Sequence, residues 1–406
     1  MKAKFVQFHV LVSYPASLLN RDDVGLAKRI PFGGAVRTRI SSQCLKRHWR
    51  TYDGVKSLKS LKLPESIRSR RTLEKYLLEP LLNEGIEKKR AFACVSVLQE
   101  IMTGHEAKDE QQESESGDNE PSFSSAKQIV VLGRPEVEYL LKVAREACAN
   151  TNLTDPKSFR KYFKDKKELK ENLRGLFCGS GLDAALFGRM VTSDFLARTD
   201  AAVHVAHAFT VHEEMAEPDY FTAVDDLEKE SEELGAGHIN TTELSSGLYY
   251  LYVVVDVEKL IENITGRKEN RLKEDFELAG MVVESLLHTI ATVSVGAKKG
   301  STAPYSYASL VIAEIGDSQP RSFANAFLDP TKPSQLLRRT YEALASYVAE
   351  IDRMYSDGDY IPQRFVAATG PIDALRPHVL GEKESPLSLS GVAQRIRAAI
   401  LEGADA

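Results

Sequence analysis

Lysine and arginine side chains that could bind phosphate groups are concentrated in residues 19–50, which we call the basic segment. This segment has eight Lys and Arg residues against two aspartates, a formal charge of +6, whereas the whole 406-residue chain carries −5. Binding a polyanion needs clustered cations, not a high overall charge. The composition therefore favours a local nucleic-acid contact, with an ordinary solvated basic helix as the alternative.

The first half of the basic segment predicts a turn followed by a short strand. Gly33-Gly34 allows a tight turn and a close approach of the backbone to a ligand, because neither residue has a Cβ. Residues 36–40 are expected to be extended, with Arg37 and Arg39 on one face.

The second half of the basic segment predicts an amphipathic helix that begins near Ser41 or Ser42. Either serine can cap the helix, whose exposed backbone N–H groups and dipole would favour a phosphate at that end. Helical spacing places Leu45, Trp49 and Tyr52 on one side and three basic residues on the flanks, namely Lys46, Arg47 and Arg50. One side can thus pack while the other meets phosphates.

Two adjacent carboxylates, Asp22 and Asp23, are the first candidates for catalysis. They follow the first predicted strand and could hold a divalent ion, so a metal-dependent RNA endonuclease is an alternative function. However, adjacent side chains usually point apart, and Arg21 offers Asp22 a salt-bridge partner.

Three histidines, His204, His207 and His212, are the second candidates. Their spacing lacks the glutamate of a zincin helix, so we expect packed or partner-contacting histidines rather than a metal site. Four dispersed cysteines without a CxxC pair also indicate neither zinc nor disulfides. No cofactor is expected.

Composition bounds the class of protein. Hydrophobic residues make up 43% of the chain, enough for a folded core, but the apolar runs fall short of the roughly 20 residues that a membrane helix needs. The amino terminus has no signal-peptide pattern. We therefore expect a cytoplasmic protein with no membrane partner.

The distribution of apolar residues predicts an α+β fold. Lys4–Tyr14 is apolar on both faces in its second half, which indicates a central strand. Charged helical segments follow, interrupted by an acidic, apolar-poor stretch at 106–125 that predicts a mobile loop. A strand at 247–257, a helix at 269–293 and a strand after residue 296 would complete a ferredoxin-like or RRM-like sheet. Helices are expected at 333–355 and 389–401, with a loop at 357–378.

Several motifs, spread over both halves of the chain in one order, resemble the CasC family. That family forms the backbone of the type I-E CRISPR surveillance complex called Cascade. The amino-terminal motifs are LNRDD, FGG followed by RxRISSQ, and LKR, and the later ones are GRM within residues 177–192, AHAxTxH, FTAVDDL, SSGxxYxY and GAKxxxxAxx.

The resemblance implies a non-catalytic subunit that polymerises head to tail along crRNA and grips its phosphate backbone. Its partners would be crRNA, target DNA through the crRNA, copies of itself and other Cascade subunits. In the family, a long thumb hairpin folds over the guide and interrupts its pairing with target DNA. By this likeness Met190, Phe221 and Thr222 would hold a kink in the guide, and Lys298 and Lys299 would lie beside it.

The implied architecture is an RRM-like (ferredoxin-like) palm with two insertions. The palm would comprise residues 1–60 and 246–406. The two insertions would be a helical finger-like region at residues 61–185 and the thumb at residues 186–245. We predict phosphate and sugar contacts from eight residues of the basic segment: Asn20, Arg21, Lys28, Arg39, Ser41, Gln43, Lys46 and Arg50. A generic single-strand RNA chaperone is a further alternative, which would show no fixed stoichiometry with a guide.

Overall fold

The computed structural model describes residues 4–103, 129–166, 168–189, 198–223, 238–356 and 360–404, with backbone alone at 221–223 and 238–240. The predicted acidic loop and Met190 lie outside these ranges. The chain divides into two compact units. The first comprises residues 1–61, 204–257 and 272–406, and the second comprises residues 62–203 and 258–271.

The strands and helices are numbered in chain order. The strands are β1 Phe5–Ser17, β2 Arg29–Phe32, β3 Ala35–Ile40, β4 Ser66–Ser69, β5 Val130–Gly133, β6 Val203–Val205, β7 Ala208–Thr210, β8 Ala216–Ala223, β9 His238–Asp256, β10 Leu310–Gly316 and β11 Gln363–Ala368. The helices are α1 Ser42–Thr51, α2 Glu79–Asn83, α3 Lys88–Thr103, α4 Arg134–Ala149, α5 Pro156–Asp165, α6 Glu168–Arg174, α7 Leu182–Phe187, α8 Val257–Thr265, α9 Lys273–Thr292, α10 Lys299–Thr302, α11 Leu336–Met354 and α12 Leu389–Glu402. None of these helices combines the length and apolar character needed to span a bilayer.

A large antiparallel sheet organises the first unit. Its strands run in the order β11-β10-β1-β9-β7-β3-β2, and β8 extends beside the first part of β9. The pairs β1–β9, β1–β10, β10–β11 and β3–β7 are all antiparallel. The predicted α+β class is thus observed as a mixed α/β fold with one dominant antiparallel sheet.

The central strand β1 is buried on both faces, as its apolar pattern predicts. Val6, Phe8 and Val10 are fully buried on one face, and His9 and Leu11 are buried on the other. Helices α9 and α12 pack against each other and against strands of the sheet on one side. Helix α11 contributes to the hydrophobic cluster that contains Leu11 on the other side.

A buried carboxylate, Glu314 on β10, shares two arginine partners with Asp352 of α11. Its side chain forms ion pairs with Arg321 at 3.0 Å and Arg364 at 2.7 Å. Burial alone would raise the pKa of Glu314, but hydrogen bonds and charges from His9, Arg364 and Arg321 hold that pKa at about 2. Burial lowers the pKa of His9, whereas Arg321 and Arg364 stay charged beside the carboxylate.

The second unit is mainly helical, with a core formed largely by α3, α4, α5 and the π-helical turn Glu74–Leu78. Strands β4 and β5 add a two-stranded sheet that the sequence pattern did not predict. A buried ion pair between Arg189 and Glu136 ties the end of this unit to α4, and the Glu136 carboxylate also accepts the Gly133 N–H.

The carboxyl-terminal region departs from the sequence prediction in one place. Residues 357–378 were expected to be loop, but Gln363–Ala368 forms β11, which pairs along β10 at the sheet edge. Glycine and proline flank this six-residue strand, so its local composition resembles a loop. Pairing with β10 is a long-range interaction that local composition does not encode.

The Gly33-Gly34 turn joins β2 to β3 with positive φ at both glycines, +60° and +77°. A Cβ added to Gly33 would overlap the backbone carbonyl oxygen of Leu328, whereas a Cβ on Gly34 would meet nothing within 4 Å. The close backbone approach expected here is therefore to the protein's own chain at Gly33, and only Gly34 faces open space.

This contrast predicts different stabilities for two alanine variants. Gly34→Ala should lower the free energy of unfolding by about 1–2 kcal/mol, because alanine is disfavoured at positive φ. Gly33→Ala adds a steric clash and should lower the same free energy by about 2–5 kcal/mol. Urea unfolding of both variants measures the difference, and equal losses would contradict the packing of Gly33 on Leu328.

Candidate nucleic-acid interface

Helix α1 presents the cationic side chains of the basic segment because its apolar side is anchored in the core. Leu45 and Trp49 are buried, while Gln43 and Arg47 are exposed and Lys46 and Arg50 are half-buried. The predicted division of this helix into a packed and a solvent-facing side is therefore confirmed.

The pairing of β3 with β7 brings His207 beside the first turn of α1. The register places Arg39 opposite Phe209 and Ile40 opposite Ala208, so that His207 comes opposite Ser41. The His207 Nδ1 accepts the Ser42 N–H at 3.0 Å and lies 3.5 Å from Arg39 Nη1. An Nδ1 that accepts a backbone N–H leaves the proton of a neutral imidazole on Nε2.

Three cations lie near enough to His207 to act on its charge. Partial burial, followed by the positive charges of Arg39, Lys28 and Lys46, lowers the pKa of this histidine. Each of these residues comes from a different element: Lys28 precedes β2, Arg39 lies on β3 and Lys46 lies on α1. The structure thus brings together three residues that the sequence predicted as phosphate contacts.

Further cations lie along α1 and reach Lys299. Burial lowers the pKa of His48, and the charges of Lys299 and Arg47 lower it further. Burial raises the pKa of the Cys44 thiol, and the charges of Arg47, Lys299 and Lys28 oppose that rise. Lys28 therefore lowers the pKa of both His207 and Cys44. The cations near His207 and those near Cys44 thus belong to one surface. We call Lys28, Arg39, Lys46, Arg47 and Lys299 the cationic surface.

The amino terminus of α1 differs from the sequence expectation of exposed N–H groups. Ser41 N donates to Asn20 Oδ1 at 2.8 Å, Ser42 N donates to His207, and Cys44 N donates to the capping Ser41 Oγ at 3.3 Å. These three amides are already paired within the protein. The side chains of the cationic surface are consequently better placed than the helix terminus to bind a phosphate.

Two basic residues of the segment have structural roles. Arg37 is fully buried and donates to the carbonyls of Thr210, Phe327 and Leu328. Arg29 forms ion pairs with Glu214 and Glu243. The strand pattern placed Arg37 and Arg39 on one face, but only Arg39 extends to the cationic surface.

The loop that carries Asn20, Arg21 and Asp22 is a closed turn. Asp22 Oδ1 accepts the N–H groups of Val24 and Leu26, at 3.1 and 2.9 Å, and Arg21 forms an isolated β-bridge with Ala27. Asp22 thus stabilises a turn. In the described part of the chain, no group of three or more His, Cys, Asp or Glu residues is placed to hold a metal ion.

The other two histidines of the motif do not join His207. His212 is buried, its Nε2 accepts the Leu248 N–H, and its Nδ1 lies 2.6 Å from the Glu213 carbonyl. His204 is exposed on β6. His212 therefore has the packed role that the sequence predicted, while His207 lies in the cationic surface.

Strands β8 and β9 form a two-stranded arm, with Ala216 opposite Ser245 and Ala223 opposite His238. The base of the arm is bonded to the basic segment, because Glu243 accepts the Ala27 N–H and pairs with Arg29. Lys298 Nζ donates to Thr242 Oγ1 on the same strand at 2.6 Å. Lys298 therefore points to the arm, whereas Lys299 belongs to the cationic surface.

The predicted kink residues lie in or near segments whose side chains are not described. The backbone of Phe221 and Thr222 belongs to β8, opposite Asn240 and Ile239. Met190 follows directly on Arg189, which pairs through its backbone with Thr199. Arg189 itself is buried in the ion pair with Glu136.

His207 and Arg47 lie at the cationic surface but were not among the contacts predicted from the sequence. His207 was treated as packed or partner-contacting because its motif shows no chemistry by itself. Only the β3–β7 register, a long-range feature, brings it to α1. Arg47 was counted in the charge of the segment and placed on a flank of the helix, which was a sufficient signal to include it.

Comparison with known proteins gives two kinds of match. Residues 6–392 match the model of a family described as CT1975-like protein. A chain from a structure titled "CRISPR RNA-guided surveillance complex, pre-nicking" has a TM-score of 0.77 and 25% identity, over 98% of this chain and 100% of that one. A chain from a structure titled "CRISPR RNA-guided surveillance complex" has the same fold, with a TM-score of 0.56 and 22% identity over 97% and 99%. No curated protein sequence matches.

The geometry of the surface predicts the titration of its histidines. Lys46→Ala should raise the pKa of His207, because it removes a positive charge that disfavours the imidazolium. Lys299→Ala is the matched control and should raise the pKa of His48. Histidine NMR titrations of both variants measure these shifts. A His207 pKa that responds to neither lysine, or equally to both, would contradict the arrangement.

Proposed function

The chain belongs to the CT1975-like protein family, and from this premise and its cationic surface we propose that it is a crRNA-binding backbone subunit of a Cascade surveillance complex. The family match and the similarity to surveillance-complex chains are consistent with the CasC resemblance of its motifs and support the proposal. We assign it to the type I-E form on its motifs. Its role would be antiviral defence in the cytoplasm.

The convergence of Lys28, Arg39 and Lys46 around His207 is the observation that carries this proposal. Like charges brought together on a folded surface repel one another, and a polyanion relieves that repulsion. Lys299 and Arg47 extend the same surface along α1. Such a surface suits a ribose-phosphate backbone, with Asn20, Arg21, Ser41, Gln43 and Arg50 as the further contacts that we propose.

The surface offers charge rather than a pattern of base-reading groups, so we propose that it accepts any guide sequence. Specificity would come from base pairing between the crRNA and target DNA. Several copies would bind one crRNA head to tail, through a heterologous interface that does not close into a ring. Other Cascade subunits would cap this ribonucleoprotein.

We propose that the arm formed by β8 and β9 is the thumb, and that Phe221 and Thr222 with Met190 kink the guide. The thumb assignment is supported by the contacts of Glu243, which connect the base of the arm to the basic segment. A guide held on the cationic surface would then meet an arm whose base is already fixed.

We also propose that the central sheet is an RRM-like palm. This assignment is supported by the strand order β10-β1-β9. Along the chain α9 lies between β9 and β10, and in the sheet β1 lies between these two strands. The functional division would be palm 1–60 and 246–406, finger-like region 61–185 and thumb 186–245.

The endonuclease alternative has less support. The Asp22 carboxylate oxygen Oδ1 accepts two backbone N–H groups of its own turn, which leaves it poorly placed to hold an ion. We therefore propose a subunit without catalytic activity of its own.

Loss of one phosphate contact should change the salt dependence of RNA binding. For a single-stranded RNA, Lys46→Ala should weaken binding regardless of sequence and reduce the slope of log K against log salt by about 0.7. Binding titrations over a range of salt concentrations measure this slope, and native mass spectrometry of the complex gives the copies per RNA.

The control is Arg353→Ala, which removes an exposed cation at the end of α11. This variant should leave the slope unchanged. An unchanged slope for Lys46→Ala, or a wild-type protein that purifies with no RNA or a random mixture, would refute the proposed function.

The thumb assignment predicts a separate effect on target pairing. Phe221→Ala should leave guide binding largely intact and weaken target DNA binding by the guide complex, because base stacking on an aromatic ring is worth roughly 1–3 kcal/mol. Met215→Ala, an exposed apolar residue before β8, is the control. The affinity of assembled complexes for target DNA measures this effect. An unchanged affinity in Phe221→Ala would show that Phe221 packs within the protein and does not contact a base.

A further inference from the structure

Two exposed tyrosines, Tyr305 and Tyr307, lie in the connection between α10 and β10. They are 73% and 75% exposed, somewhat more than Tyr220 on β8 at 62% and Tyr360 at 58%. Single exposed apolar residues are ordinary, but a pair of rings two residues apart needs a reason.

The backbone beneath these rings is fixed. Ser306 N donates to Ser294 Oγ at 2.9 Å, and the same hydroxyl donates to the Ser306 carbonyl at 3.1 Å. Ala308 N donates to the Ala291 carbonyl at 2.8 Å. Because the residue between the tyrosines is bonded inward at both its N–H and its C=O, the two rings are directed to solvent by a rigid support.

The backbone at Tyr305 lies next to Lys299 of the cationic surface. Both Lys299 and Pro304 lie against Gly296, since a Cβ on that glycine would be 3.0 Å from Lys299 Cγ and 2.8 Å from Pro304 Cγ. Tyr305 directly follows Pro304. The side-chain stem of Lys299 and the backbone that carries Tyr305 are therefore neighbours, which places an aromatic group beside a phosphate-binding cation.

We propose that Tyr305 and Tyr307 hold one unpaired base of the bound RNA between their rings, an inference that rests on the proposed function. Residues two apart in an extended chain are separated by roughly 6.6 Å. That separation is close to two base-stacking intervals of about 3.4 Å, so one base fits between two rings. Aromatic rings accept any base, and a cation beside them holds the adjoining phosphate.

The test uses the purified full chain and a single-stranded RNA oligonucleotide that carries 2-aminopurine. Tyr305→Ala and Tyr307→Ala should each weaken binding by roughly 5- to 100-fold, without a change in salt slope. The double variant should be little weaker than either single variant, because one base needs both rings. Tyr305→Phe and Tyr307→Phe should bind like the wild type and keep the quenching of 2-aminopurine.

Tyr360→Ala, which removes another exposed ring, is the matched control and should have no effect. If Lys46→Ala alters the salt slope while the tyrosine variants bind normally, the proposed function stands and the sandwich is refuted. If the tyrosine variants reduce only the number of copies per RNA in native mass spectra, the rings contact protein, which also refutes the sandwich.

Discussion

The buried guanidinium of Arg37 holds the basic segment against the sheet. Removing a charge from water is costly unless its donors are bonded, and here Thr210, Phe327 and Leu328 supply carbonyl acceptors from two separate parts of the chain. The turn at Gly33 closes on Leu328 as well. These contacts fix β3, and β3 in turn sets the pairing with β7 and the start of α1. Arg39 on β3 and Lys46 and Arg47 on α1 are therefore held in place by the buried side chain of Arg37.

Three residues of the cationic surface act on the same histidine. Lys28, Arg39 and Lys46 each lower the pKa of His207, which means that each of them also repels the others. Other basic residues nearby are handled differently, since Arg29 is balanced by Glu214 and Glu243. The fold thus pairs Arg29, the cation that supports the arm, with two carboxylates, and under the proposed function a polyanion would bind beside the cationic surface.

Local pattern was sufficient to predict the longest elements, but it missed short strands such as β11 and did not predict which elements meet. The buried strands β1 and β9, the packed side of α1, and the helices α9, α11 and α12 follow from hydrophobic spacing, which is a property of neighbouring residues. Arg37 and Arg39 look equivalent in sequence, yet one is buried, because burial depends on carbonyls from residues 210, 327 and 328. The place of His207 and the existence of β11 likewise depend on pairing between distant segments. The family motifs supplied the remaining predictions, which concern the ligand.

Under the proposed function, the bonds at the base of the arm would also affect how fast a copy joins a growing filament. Ala27, Arg29 and Lys298 fix Thr242 and Glu243 when the chain folds, so that this part of the arm loses its conformational entropy before any ligand arrives. Association then requires little further ordering at that point. Under the proposed function, the encounter of a preorganised subunit with the exposed end of the RNA would limit the rate of filament growth, and ionic strength would set that rate through electrostatic steering.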